Sequence, residues 1–297
     1  MIFKHSPTTS PTASPTTSPT TSPTASPTTS PTTSPTAELV ALAHFRFSEG
    51  GAHVVLALQL QMFPHDSTLC KCSHAVSCHP GRFKGMCLAN PDLEPDEASA
   101  EIERLHNEGF CGVRFNPYLW PVGQWGGRGM ADPVGMAMFR KAGELGMPVG
   151  VMCFKGLGMH LVELKALLDE CPQTKVIIDH FGFFLQDGKA DEDAWSELLG
   201  LARYPQVYVK TSAFFRVSKE DYPYPDLRPR VAALMNNYGS KRLLWGSDYP
   251  FVEDGQCGYG PAKEAMTNSF GLTTEEVVDV MGGTAETLFG KWGEVNR

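Results

Sequence analysis

The chain has 297 residues, 42% of them hydrophobic, and a formal net charge of −8. That acidic balance argues against a nucleic-acid or anionic-membrane partner, and no apolar run approaches the ~20 residues that a membrane helix requires. Eight cysteines scattered through apolar stretches suit reduced thiols in an intracellular protein, cytoplasmic or plastid.

Residues 1–37 stand apart. From Ser6 to Thr36 the sequence repeats Ser-Pro-Thr with Thr or Ala interposed, and offers no apolar side chain larger than alanine. Such a tract buries too little surface to offset its conformational entropy and is expected to be extended and disordered. It lacks the basic start and apolar stretch of a secretory signal, and it has no arginine, unlike a typical transit peptide. Residues 38–297 are about the size of one single-core barrel domain.

Along that second region, short β-rich runs alternate with helical patterns. "ELVALAHFRFSEGG" (38–51) reads as a helix leading into the first strand, "HVVLALQLQ" (53–61). The further strands are "RFKGMCLA" (82–89), "CGVRFNP" (111–117), "PVGVMCF" (148–154), "KVIIDHFG" (175–182), "QVYVKTSA" (206–213) and "RLLWGSD" (242–248). Most are near-continuous apolar runs, as expected for parallel strands covered on both faces. Asp132-Pro133 supplies an N-cap with proline at the first helical position, Phe139, Ala142 and Leu145 share a face, and Gly146 ends the helix. Leu161, Leu164, Leu167 and Leu168 form a second stripe, stopped at Pro172, and Trp195, Leu198, Leu199 and Ala202 a third. Thr273 and Glu276 match a capping box ahead of Val277, Val280 and Met281. Strand then helix, repeated, predicts an α/β fold, the (β/α)8 TIM barrel. Seven strands are read rather than eight, so the barrel is expected to lack its first strand.

The active site of such a barrel lies at the C-terminal ends of its strands. The polar residues there are Arg114, Asn116, Cys153, Lys155, His180, Lys210, Ser212 and Asp248, with Arg216 just after its strand. A barrel core has no use for so many ionisable groups. Singly, Asp248 suits a turn-capping acid, His180 a packing histidine, Lys210 and Arg216 solvated charges, and Cys153 a small hydrophobe. Together, a carboxylate and an imidazole at one barrel mouth read as an acid/base pair.

"GVRFNP", "VIIDHFG", "VYVKTSA" and "RLLWGSDYPF", in that order, with "HPGRFKGMCLANP" and "MGGTAETLF", resemble the amidohydrolase-related (amidohydrolase 2) family of TIM-barrel hydrolases from about Gly51 to Phe289. Within it the chain is most similar to lactonases that open pyrone-dicarboxylates and sugar lactones, and to plant and algal homologues. The resemblance implies that Asp248 handles the proton of the attacking water and that His180 matches the partner histidine. It implies that Arg114 and Arg216 hold substrate carboxylates, a task suited to the planar guanidinium. Lys210 would add charge or polarise a carbonyl, and Asn116 and Cys153 would line the substrate.

The family's first-strand His-x-His pair has no counterpart among the nine histidines, and the fourth strand run carries "VGVMCFKG" where metal-dependent members tend to carry a histidine. A catalytic zinc takes about three protein ligands, and His180 with Asp248 supply two, so no catalytic metal is expected. A second cluster, "CKCSHAVSCH" (70–79), places Cys70, His74 and Cys78 at helical spacing, but it matches no standard zinc finger and reads as an ordinary cysteine-rich helix. The expected function is hydrolysis of a small carboxylated lactone or similar cyclic ester. The alternatives are a metal-dependent carboxy-lyase of the same superfamily and an inactive, truncated barrel.

Overall fold

A computed structural model describes residues 55–58 (backbone only), 76, 83–120, 129–253 and 256–291. The readings of the repeat tail, of the helix at 38–51 and, apart from Val76, of the Cys/His segment at 70–79 lie outside these residues.

Seven parallel strands run in sequence order across one sheet: β1 (Val55–Leu58), β2 (Phe83–Leu88), β3 (Phe110–Phe115), β4 (Val149–Val151), β5 (Val176–Ile178), β6 (Val207–Ser212) and β7 (Leu243–Gly246). Each pairs in parallel with the next, and among the described residues no eighth strand joins this sheet; Leu185–Gln186 and Lys189–Ala190 form a separate antiparallel pair. In a flat sheet β2 and β7 would lie about 24 Å apart, five strand spacings. Here Met86 of β2, Ile177 of β5, Tyr208 of β6 and Leu244 of β7 share one small apolar cluster with Leu288 and Phe289 of a late helix (Thr284–Phe289). The sheet therefore curls, and the late helix closes the N-terminal end of its concave face. Lys84 on β2 donates to the carbonyls of Phe289 and Gly290 at the same place. The fold is an incomplete (β/α)8 barrel.

Helices cover the convex face. The Asp132 carboxylate accepts from the Gly135 amide at 2.8 Å and caps α2 (Pro133–Glu144), which buries Phe139 and Ala142. α3 (Leu161–Glu170) buries Leu164, Leu167 and Leu168, and α4 (Glu192–Gly200) buries Trp195 and Leu198. The Thr273–Glu276 capping box forms as read. Two of the longer helices escaped the sequence reading. α1 (Pro95–Asn107) buries Ala98, Ile102 and Leu105, and its first turn carries a Glu94–Glu97 capping box. α5 (Arg228–Tyr238) starts with proline in its first turn and buries Val231, Leu234 and Tyr238. The predicted strands were too long at their C-terminal ends, most of all the run 175–182. It stops at Ile178 because the backbone leaves the sheet through left-handed residues from His180 onward.

Candidate active site

Side chains alternate across a strand. On β6 this puts Tyr208, Lys210 and Ser212 on the concave face, Tyr208 in the apolar floor and the other two above it, all buried. On β5 the same alternation carries Ile177 into the floor and Asp179, just past the strand, into the layer above. Arg114 near the end of β3 reaches over β4 to meet it, a span of about 10 Å, two strand spacings.

A fully buried carboxylate organises this layer. Asp179 has 0% exposure; its Oδ1 accepts from Lys210 Nζ at 2.5 Å, and its Oδ2 lies 2.7 Å from Arg114 Nη2. The second contact is an ion pair without a hydrogen bond. Arg114 also donates from Nε to Asn116 Oδ1 at 3.3 Å, and its Nη2 touches Met152 Sδ. Burial alone would push the Asp179 carboxyl up, but the Arg114 and Lys210 charges overcome it and hold the group well below the usual carboxylate range. Burial pulls Lys210 down from its ordinary value, with Asp179 partly restoring it.

The second half of the layer is the expected pair. His180 and Asp248 both sit at left-handed φ, 49° and 60°, where each backbone turns sharply out of its strand. Phe181, Gly182 and Phe183 continue the left-handed run, and the Phe183 ring packs edge-on against His180 with centroids 5.0 Å apart. Non-glycine residues in such conformations cost of order 1–3 kcal/mol each and cluster at functional sites. His180 Nδ1 lies 2.7 Å from Ser212 Oγ, and Nε2 lies 3.7 Å from Asp248 Oδ1. Burial pushes the imidazole down to about 4, against the opposing pull of Asp179 and Asp248, so it is neutral at pH 7. In the tautomer protonated on Nε2 that N–H faces the Asp248 carboxylate, which can only accept, and Nδ1 accepts from the Ser212 hydroxyl. The other oxygen of Asp248 accepts from Arg216 Nε at 2.8 Å. Arg216 remains 29% exposed and lies between the Phe215 and Phe251 rings.

Six of the seven residues predicted for the site, Arg114, Asn116, His180, Lys210, Arg216 and Asp248, thus come together above the floor. Cys153 is fully buried in the main apolar cluster, and burial with the nearby Asp179 charge keeps it a neutral thiol. Lys155 is exposed in the loop after β4. Asp179 was missed. An acid inside the apolar run "KVIIDHFG", two residues on from the inward Ile177, is the signal that could have found it.

Residues 25–291 match the sequence profile of the family described as amidohydrolase. The chain belongs to that family. Among curated relatives, a 4-sulfomuconolactone hydrolase from Hydrogenophaga intermedia is 28% identical over 200 residues, 65% of this chain and 58% of the relative. The match therefore spans under two thirds of that protein. Among solved structures, a probable 2-pyrone-4,6-dicarboxylic acid hydrolase from Acinetobacter baumannii, with citric acid bound, superposes with a TM-score of 0.68 at 20% identity, covering 84% of this chain and 88% of that one. An amidohydrolase from Burkholderia multivorans with bound zinc gives 0.67 at 15% identity, covering 87% and 92%. Both show the same fold.

Zinc in that neighbour raises the question of a metal in this amidohydrolase. Among the described residues no three His, Cys, Asp or Glu side chains converge as a metal cradle. His180 and Asp248 offer two donors, but one Asp248 oxygen is engaged by Arg216, and Asp179 is held between two cations. Two fixed positive charges beside a two-donor set oppose a divalent ion, and the described residues do not fit one. No helix among them is long and apolar enough to cross a membrane.

Proposed function

We propose that this amidohydrolase opens a small lactone, or similar cyclic ester, that carries a carboxylate. The observation that carries the reading is the Arg216–Asp248–His180 group: one carboxylate held by a guanidinium on one oxygen and faced by a neutral imidazole on the other. Asp248 acts as the general base that takes the proton of the attacking water and returns it to the ring oxygen as the acyl C–O bond breaks. The His180 Nε2–H orients that carboxylate and polarises the carbonyl under attack. Arg216, through the N–H groups it does not spend on Asp248, pairs a substrate carboxylate; Arg114 serves the same end from the opposite side. Lys210 adds positive charge where the carbonyl oxygen becomes negative. Asn116 lines the bound ring; Cys153, enclosed in the apolar core, takes no part. The names of the Hydrogenophaga relative and the Acinetobacter neighbour, hydrolases of a muconolactone and of a pyrone dicarboxylate, support the substrate class.

The test is turnover of 4-sulfomuconolactone, 2-pyrone-4,6-dicarboxylate and a neutral sugar lactone by the purified chain. Opening of an anionic lactone, lost in Asp248→Asn with the melting temperature kept, is the expected result. Absence of turnover on all three, or undiminished turnover in Asp248→Asn, removes the assignment.

A further inference from the structure

We propose that Asp179 is a positioning residue of this site: its two oxygens bridge Lys210 and Arg114 and so fix where the remaining N–H groups of both cations point. The proposal rests on the lactone-hydrolase reading and deepens it.

The geometry is specific. Asp179 has no exposed surface, so its carboxylate serves only groups that the protein brings to it. Those groups come from both sides of the barrel layer, Lys210 from the neighbouring strand at 2.5 Å and Arg114 from two strands away at 2.7 Å. Both cations are themselves nearly inaccessible, with side chains 7% and 3% exposed. Two like charges in so dry a layer repel strongly unless an anion lies between them. A core selected only for stability would fill that space with apolar side chains, since a buried ion triad is weak evidence for stability. One carboxylate and two cations leave one net positive charge facing the pocket, the complement of a single substrate carboxylate or of a carbonyl gaining charge. Asp179 also immediately precedes His180, so the strand end that seats the bridge also launches the left-handed turn carrying the imidazole.

The groups facing Lys210 are Asp179 at the end of β5, Arg114 from β3, Asp248 from the turn after β7, and His180 beside Asp179. Asp179 and Asp248 favour its charged form; burial and Arg114 oppose it. Removing Asp179 therefore leaves Lys210 beside Arg114 with its main counter-ion gone, and it gives up its proton at lower pH than in the wild type. Activity that needs the Lys210 cation is present below that pH and lost above it. In Asp179→Asn the alkaline fall of kcat/KM on 2-pyrone-4,6-dicarboxylate should move to lower pH, making the loss relative to wild type about tenfold greater at pH 9 than at pH 6 for each unit by which the limb moves below pH 9. A uniform loss at all pH values, as a merely structural defect produces, overturns the proposal.

Should wild type not turn over this lactone, the functional reading fails separately, and melting still tests the bridge. The unfolded chain holds the lysine proton to about pH 10.5, so the variant's folded state sheds it over a wider window and gains stability with rising pH. The deficit in melting temperature of Asp179→Asn should narrow from pH 7 to pH 10; a constant deficit overturns the proposal. If Asp179→Asn does not fold, Asp179→Glu carries the test. It keeps the charge and lengthens the arm, so kcat should fall while the alkaline limb stays at the wild-type pH, and a displaced limb counts against the bridge.

Discussion

The concave face of the barrel is built in two layers that obey opposite rules. The floor, Met86, Ile177, Tyr208 and Leu244 under Leu288 and Phe289, is apolar and held by burial and shape. The layer above it, at the strand ends and in the turns that follow them, holds Arg114, Asp179, His180, Lys210 and Asp248, the first four buried and the last with only its side chain enclosed, and two of the five are in strained backbone. The floor contributes stability; the upper layer costs it, because desolvated charges and left-handed residues are expensive. A period of two along each strand is enough to separate the two.

Substitutions in each layer should therefore give opposite signatures. The largest expected effect is in the upper layer: Asp248→Asn should lower kcat by about 10³-fold, the range for loss of a general base, with little change in melting. Steady-state kinetics beside a thermal melt checks it. Leu244→Ala in the floor should do the reverse, costing about 3–4 kcal/mol in chemical denaturation while kcat/KM per folded molecule is kept. A floor variant that lost activity while fully folded would break the division.

The third effect is pH-dependent and belongs to His180. Its folded value near 4 lies below the ordinary 6.5, so between those values the unfolded chain binds a proton that the folded one refuses. Stability from this group is complete above about pH 6.5 and falls as pH drops toward 4, by about 3 kcal/mol. Urea midpoints at pH 7 and pH 4, for wild type and His180→Gln, measure it; an equally steep fall in the variant would assign the loss elsewhere. The smallest effect lies in neither layer. Asp132→Ala removes the α2 cap on the convex face and should cost about 1 kcal/mol without altering kcat.

Much of this was readable in advance, for local reasons. Alternation along "VYVKTS" puts Tyr208, Lys210 and Ser212 on one face, and apolar runs broken by Asp248 and His180 mark the strand ends. The caps at Asp132 and Thr273 are short-range devices, and both formed. What escaped depends on contacts distant in sequence. Asp179 looks like one polar residue in an apolar run until Arg114, 65 positions earlier, arrives beside it. Cys153 lies near the same strand ends as the charged residues, but local spacing does not reveal that the core encloses it completely. α1 was passed over although Ala98, Ile102 and Leu105 follow helical spacing, because its charged first turn, Asp96 and Glu97, masks the stripe.

The bond from Lys84 to the carbonyl of Phe289 joins residues 205 positions apart. On a ribosome, β2 emerges long before the helix that seals the floor beneath it, at a rate of about 5–20 residues per second. For roughly 10 seconds or more, by that rate, Met86 and its neighbours wait without their cover. The nascent chain spends that interval with an apolar surface open to chaperones, and the floor gains its cover only when residues 284–290 dock.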